Sequence, residues 1–388
     1  MKSLKKEITF IYMDTSERAI YNELSEEAKK RGYQVKITNN KFEKCEIGVY
    51  CQHINFPQFS KFSVIMLHDI IQQYSNWPDL WFREPWNKYD VGILPSDQWV
   101  DNWNQCSHIY YTRPRLGMYK VGWPKADKFA NIIKDEESRN QFYEKHGLDK
   151  NKKTVLYAPA WENDGKQDEF VQAMLKLDVN ILIKQWDVPE GMFVNIAKNI
   201  QEMYELHKDM PEVTILDPKT NIFEAIAASD ILVSEESSTM CEAIMMGIPA
   251  ISVSNWLIPD VTPSRYPQCD YDFVVMTTKE ELTDCVSDML ENYDAHKKIA
   301  EDYSAKTFSN IGKSSQMIMD IIDDCVEGKA VRYEALTPAP LKSIPLSKRM
   351  KHMWIQFRTE LYGNYRVRFK FIGAVYEFLK RLKNLFRK

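Results

Sequence analysis

Short apolar runs recur along the chain, separated by segments whose apolar positions return every three or four residues. In the first half, EITFIYM (7–13), YQVKI (33–37), IGVY (47–50), FSVIML (62–67) and VGIL (91–94) read as strands. Residues 17–31 carry helical spacing through Ile20, Leu24 and Ala28 until Gly32 stops it. A second series follows: TVLYA (154–158), NILIK (180–184), VTIL (213–216), DILVS (230–234), PAISV (249–253) and FVVM (273–276). Strand and helix in alternation are the rhythm of a parallel sheet wrapped by helices. The pattern therefore predicts an α/β fold of two doubly wound, Rossmann-type halves, 1–150 and 151–335. A hinge is expected in the charged segment 135–153.

Beyond a linker at 336–345 that contains Pro338, Pro340 and Pro345, the pattern changes. Phe371, Ile372, Val375, Phe378, Leu379, Leu382, Leu385 and Phe386 form one helical face, with Lys370, Lys380, Arg381, Lys383, Arg387 and Lys388 on the other. Net charge separates this tail from the body. The chain carries −4, yet residues 341–388 hold 13 Lys/Arg against two Glu, so the tail is near +11 and the rest near −15. An amphipathic basic helix of this kind suits an anionic membrane surface. The other reading is a helix packed on the acidic body or on a partner subunit. Nucleic acid is not expected as a partner, because the basic residues are confined to the tail.

At 388 residues and 44% hydrophobic, the chain has ample apolar mass for two domains. Its seven cysteines are scattered without a CxxC pair, which argues against a disulfide framework or a zinc cluster and fits a reducing compartment. No run approaches the length that spans a bilayer, so membrane contact is expected to be peripheral.

The segment SEESSTMCEAIMMGIP (234–249) follows an apolar strand and reads as a turn and then a helix ending at Gly247. A first helical turn has unpaired N–H groups and a positive dipole end, a setting for a diphosphate, with hydroxyls from Ser237, Ser238 and Thr239 beside it. Glu242, one turn on, suits a ribose diol. The same letters also read as a capping box from Thr239 to Glu242. Glu235 and Glu236 are expected to repel phosphate.

This block, with Gly247-Ile-Pro249, resembles the nucleotide-diphosphate segment of the CDP-glycerol glycerophosphotransferase family, the teichoic-acid and capsule polymer enzymes with GT-B folds. LHD (67–69), GWPKAD (122–127) and VLYAPAW (155–161) resemble that family's other segments in the same order. The resemblance implies two Rossmann-type domains facing a cleft. It also implies transfer of glycerol phosphate from CDP-glycerol, or a related nucleotide-activated donor, to a lipid-linked or saccharide acceptor. In that reading His68 is the base; Asp69 stands where the family has a glycine and reads either as orienting the imidazole or as turn chemistry. Ser237, Ser238, Thr239, Glu242, Lys184 and Thr220 hold the donor; Arg113, Arg115 and Trp123 are candidates on the acceptor side.

No cofactor or metal is expected, since no Asp-x-Asp pair follows a strand end. The aromatic series Tyr74, Trp77, Trp81, Phe82, Trp86, Trp99 and Trp103 reads as core or as a surface for polyol and sugar stacking. Two further departures stand out: Glu162 replaces an expected arginine, and KQWD (184–187) lacks the family's second histidine. They keep open a glycosyltransferase or epimerase-like enzyme using a nucleotide sugar, and a non-catalytic membrane-attached scaffold. The expected location is the cytoplasmic face of the cell membrane.

Overall fold

Every strand ladder is parallel, in two separate six-stranded sheets. The computed structural model describes residues 4–378 except 14, 52–54, 69, 71–80, 82–83, 129–135, 189–192, 236, 257–272, 362–370, 372 and 376–377. The strands are β1 (Glu7–Ile11), β2 (Gln34–Thr38), β3 (Cys45–Cys51), β4 (Ser60–Met66), β5 (Val91–Leu94) and β6 (Gly117–Lys120), then β7 (Lys153–Tyr157), β8 (Val179–Ile183), β9 (Val213–Ile215), β10 (Ile231–Ser234), β11 (Ala250–Val253) and β12 (Val274–Thr277). The helices are α1 (Thr15–Lys30), α2 (Asp97–Cys106), α3 (Glu136–His146), α4 (Lys166–Met174), α5 (Val194–His207), α6 (Ile222–Ala227), α7 (Thr239–Met245), α8 (Leu282–Glu291), α9 (Tyr293–Thr307), α10 (Ser314–Val326) and α11 (Leu346–Glu360).

The chain forms two compact units, one of Met1–His68, Asn76–Lys125 and Lys313–Lys388, the other of Asp69–Ser75 and Ala126–Gly312. In the first, the sheet order is β2-β1-β3-β4-β5-β6. Direction reverses between β1 and β3, so the connections after these strands leave on opposite faces and open a crevice at their carboxyl ends. One face of the sheet is covered by α1, through Ile20, Tyr21, Leu24 and Ala28, together with Ile318, Met319, Ile321 and Ile322 of α10. Arg31 ties these helices, donating to Asp320 at 2.7 Å and Asp323 at 2.8 Å. Trp81, Trp86, Trp99 and Trp103 fill the core on the sheet's other side, each at most 1% exposed. These four rings are core and present no sugar-stacking surface; Tyr74, Trp77 and Phe82 lie outside the described residues.

The second unit has the order β12-β11-β10-β7-β8-β9, the doubly wound arrangement with its reversal between β7 and β10. Phe170, Val171 and Met174 of α4 and Leu282, Val286 and Met289 of α8 pack on its strands.

Three features differ from the sequence reading. The strand β6 was not in the predicted series: its four residues GMYK begin with a glycine and lack an apolar run. The unit boundary falls at 125/126, not near 150. The expected hinge is α3, anchored in the second unit by Phe142 and Tyr143, whose phenol donates to the Ala228 carbonyl at 3.0 Å. Residues 313–335 belong to the first unit, and the proline linker does not detach. Leu336 N donates to Met118 O at 2.7 Å, Ala339 N to Ser107 Oγ at 2.9 Å and Lys342 N to His108 O at 3.1 Å. Leu336 and Ile344 also pack against the tryptophan core.

Candidate active site

In the second unit, the loops leaving β7 and β10 meet at the point of reversal. The Ser234 hydroxyl donates to Ala158 O at 2.7 Å. The Thr239 hydroxyl sits 3.2 Å from that same carbonyl and 2.8 Å from Ser237 Oγ, which also accepts the Thr239 N–H at 3.2 Å. Thr239 therefore ties the two loops together and does not form the capping box with Glu242. The Glu242 N–H is taken by Ser238 O at 3.1 Å. Ser238 is the residue before α7 and makes no side-chain cap bond. Ser237 and Ser238 are half-buried, and Glu242 is buried one turn on.

Glu235 was expected to repel phosphate, but its charge is already engaged. It is buried, 3.1 Å from the ammonium of buried Lys166, and accepts the Ala160 N–H at 2.8 Å and the Trp161 N–H at 3.4 Å. Glu236 lies outside the described residues.

Lys184 is buried just past the end of β8. Its buried ammonium donates to Gln185 O at 3.0 Å and Pro218 O at 2.7 Å, joining the loops after β8 and β9. Thr220 lies in the second of these loops, where its N–H closes a turn on Asp217 O at 2.8 Å; Asn221 is the residue that caps α6. Glu162, the departure from arginine, is fully buried. It accepts from Tyr157 Oη at 2.9 Å, Gln185 Nε2 at 3.0 Å and Gln167 N at 3.2 Å. Burial raises its pKa above the usual carboxylate value. The two departures thus share one hydrogen-bonded network, through Glu162 and Gln185. Above it Trp161 and Trp186 lie 18° from parallel with centroids 6.4 Å apart, and the Phe193 ring approaches both at 5.4 and 5.3 Å.

In the first unit, His68 follows β4 at the sheet's carboxyl edge. One of its ring nitrogens, Cys51 Sγ and a Glu17 carboxylate oxygen all lie within 4.8 Å of one another. Glu17 comes from the first turn of α1 and Cys51 from the end of β3, so three neighbouring strands deliver this cluster. Asp69 lies outside the described residues. Trp123 is buried and its indole donates to His68 O at 3.1 Å, so it holds the histidine's backbone.

Arg113 and Arg115 are not brought to this cluster. They precede β6, at the amino edge of the sheet, where Arg115 pairs with Asp90 at 2.9 Å and Arg113 donates to Ser107 O at 2.6 Å and to Ala339 O. Sequence reasoning missed Glu17, Cys51 and Lys166. The available signal for Glu17 was an acidic residue in the first turn of the helix following a strand; nothing local marked the other two.

Residues 66–254 match the family model described as CDP-Glycerol:Poly(glycerophosphate) glycerophosphotransferase. Over 159 residues the chain is 23% identical to the teichoic acid poly(glycerol phosphate) polymerase of Staphylococcus epidermidis; the match covers 40% of this chain and about a fifth (20%) of that protein. Among solved structures, the wall teichoic acid polymerase TagF, in a histidine-to-asparagine variant with CDPG, superposes with a TM-score of 0.61 at 15% identity, covering 84% of this chain and 90% of that one. A putative UDP-N-acetylglucosamine 2-epimerase from Listeria monocytogenes gives 0.59 at 11% identity, covering 87% and 100%. At these identities the structural likeness is one of fold, GT-B-like and α/β.

Proposed function

We propose, from the match of residues 66–254 to the CDP-glycerol glycerophosphotransferase family, that the chain transfers glycerol phosphate from CDP-glycerol to a hydroxyl of a lipid-linked or saccharide acceptor in teichoic acid or capsule polymer synthesis. One observation carries the reading. His68 and the 237–242 segment each stand at the carboxyl edge of their own parallel sheet, near its point of reversal, where open α/β folds take ligands.

In the proposed reaction His68 accepts the acceptor hydroxyl's proton as its oxygen attacks the β-phosphorus. The bond from that phosphorus to the bridging oxygen breaks and CMP leaves with the electron pair. Ser237 and Ser238 hold the diphosphate through their hydroxyls, and Glu242 accepts from the ribose. The test is nucleotide release with CDP-glycerol, CDP-ribitol and UDP-sugars offered separately, with lipid vesicles and an acceptor fraction. CMP from CDP-glycerol alone supports the reading; UDP release keeps the fold and changes the reaction to glycosyl transfer or epimerase-like chemistry. Silence from every donor favours the scaffold. The glycosyl outcome has its own support in the Trp161–Trp186 pair, which gives that edge aromatic faces.

Ser238→Ala is expected to raise the KM for CDP-glycerol by about 10- to 100-fold, the range for a hydrogen bond to a charged group, with the thermal transition unchanged. Steady-state kinetics and calorimetry with CMP check this. An unchanged KM would remove Ser238 from the donor site.

We further propose peripheral attachment to the cytoplasmic face of the membrane. Leu346, Met350, Met353, Trp354 and Phe357 of α11 are each more than half exposed and recur at helical spacing, beside Lys348, Arg349, Lys351 and Arg358. Among the described residues no helix is long and apolar enough to cross a membrane. Burying Trp354 and Phe357 at an interface contributes about 1.5–3 kcal/mol each. Trp354→Ser with Phe357→Ser is therefore expected to weaken sedimentation with anionic vesicles at least tenfold. Equal binding by the variant would point to another surface.

A further inference from the structure

We infer that Glu17 is the positioning residue for His68: its buried carboxylate orients the imidazole and holds the positive charge that forms as the acceptor's proton is taken. This rests on the reading of His68 as the base, and the experiment below separates the two.

The argument begins with topology. The reversal between β1 and β3 opens the carboxyl edge, and α1 starts directly over it. Its first turn carries Glu17, which is 1% exposed and accepts the Met13 N–H at 2.5 Å. That bond fixes the carboxylate to the turn between β1 and α1. From the neighbouring strands come Cys51 and His68, with Glu17, Cys51 and His68 donor atoms all within 4.8 Å. A carboxylate can accept through both oxygens, so the Met13 bond leaves capacity for an imidazole N–H.

Trp123 fixes the histidine's backbone by donating to its carbonyl at 3.1 Å. Tyr21 stands beside Glu17 and Cys51 and donates its phenol to Ile11 O at 2.9 Å. Among the described residues, the titratable groups placed at His68 are Glu17 from α1 and Cys51 from β3, with Tyr21 beside those two; Asp69 lies outside the described residues. Glu17 is the acid among these groups.

The chemistry balances without a further reactant. The acceptor O–H bond breaks, its proton passes to the imidazole, the new O–P bond forms and CMP departs. The imidazolium, held by Glu17, then returns its proton to solvent. A carboxylate beside an imidazole favours the protonated ring, so its removal costs rate in the transition state and not donor affinity.

Glu17→Gln is the test, because the amide oxygen can still accept the Met13 N–H while the charge is gone. CMP release from CDP-glycerol by full-length protein is expected to lose on the order of 10- to 100-fold in kcat, within what general-base catalysis supplies, with KM for CDP-glycerol held. The low-pH limb of the kcat/KM profile is expected to move to lower pH. A merely structural glutamate would alter the melting temperature and leave that limb in place. Wild-type kcat and profile in E17Q, with H68A inactive, overturn the positioning role alone; an active H68A overturns the base and the positioning role together. If E17Q does not fold, E17D, which keeps the charge one methylene short, is expected to lose kcat at constant KM. A loss in E17D confined to KM would overturn the inference.

Discussion

His68→Ala is expected to lower kcat for CMP release from CDP-glycerol by about 100- to 10,000-fold, the contribution a positioned general base makes. The expected loss falls in kcat, since the proposed donor contacts lie in the other unit, on the loops after β7 and β10. His68 is half-buried, and Trp123 grips its backbone carbonyl. Alanine therefore keeps the Trp123 bond, and the unfolding transition is expected to shift little. Calorimetric CMP binding with unchanged affinity, alongside the lost turnover, would assign His68 to the chemical step. Full turnover in H68A would remove the base from the proposed mechanism and send the search for a proton acceptor elsewhere along the carboxyl edge.

How much of this was legible in the sequence depends on how local each signal is. Strands such as ILVS and AISV are buried throughout, so their apolar runs announce them; GMYK carries no such run. The return of α10 to the first unit rests on pairs such as Arg31 with Asp320, distant in sequence and unmarked by any nearby residue. Pro338, Pro340 and Pro345 suggested a free linker because proline cannot donate, yet Leu336, Ala339 and Lys342 between them donate to the first unit.

The site shows the same division. Strand, turn and helix around Ser237 were readable because each piece has its own pattern. Arg113 and Arg115 were misplaced by proximity to the Gly-Trp-Pro segment: β6 intervenes, and its four residues carry the chain some 13 Å, roughly 3.3 Å each, from one sheet edge to the other. Glu17 required knowing that β1, β3 and β4 are neighbours. Glu235 was judged by its charge, when burial and Lys166 decide what that charge does.

That pair gives the largest expected effect on stability. Glu235→Ala leaves the Lys166 ammonium buried without its partner and strips the acceptor from the Ala160 and Trp161 N–H groups. Breaking a buried pair from one side costs about 3–5 kcal/mol. The cost arises from the charge left behind, so Lys166→Met in the same chain is expected to recover a large part of it, beyond the sum of the two single changes. Urea unfolding of the four proteins in this cycle measures the coupling, followed by a probe of the second unit because two units need not unfold together. The consequence reaches the proposed donor site. Glu235 anchors the β7 loop while Ser234 and Thr239 bind Ala158 O on the same loop, so the loops after β7 and β10 are one hydrogen-bonded body. E235A is therefore expected to weaken CMP binding as well as stability, and the double variant to regain stability more fully than binding, since methionine restores no acceptor for the loop N–H groups. If E235A costs less than about 1 kcal/mol, the value of an exposed pair, solvent reaches Lys166 and the loop owes its position to other contacts.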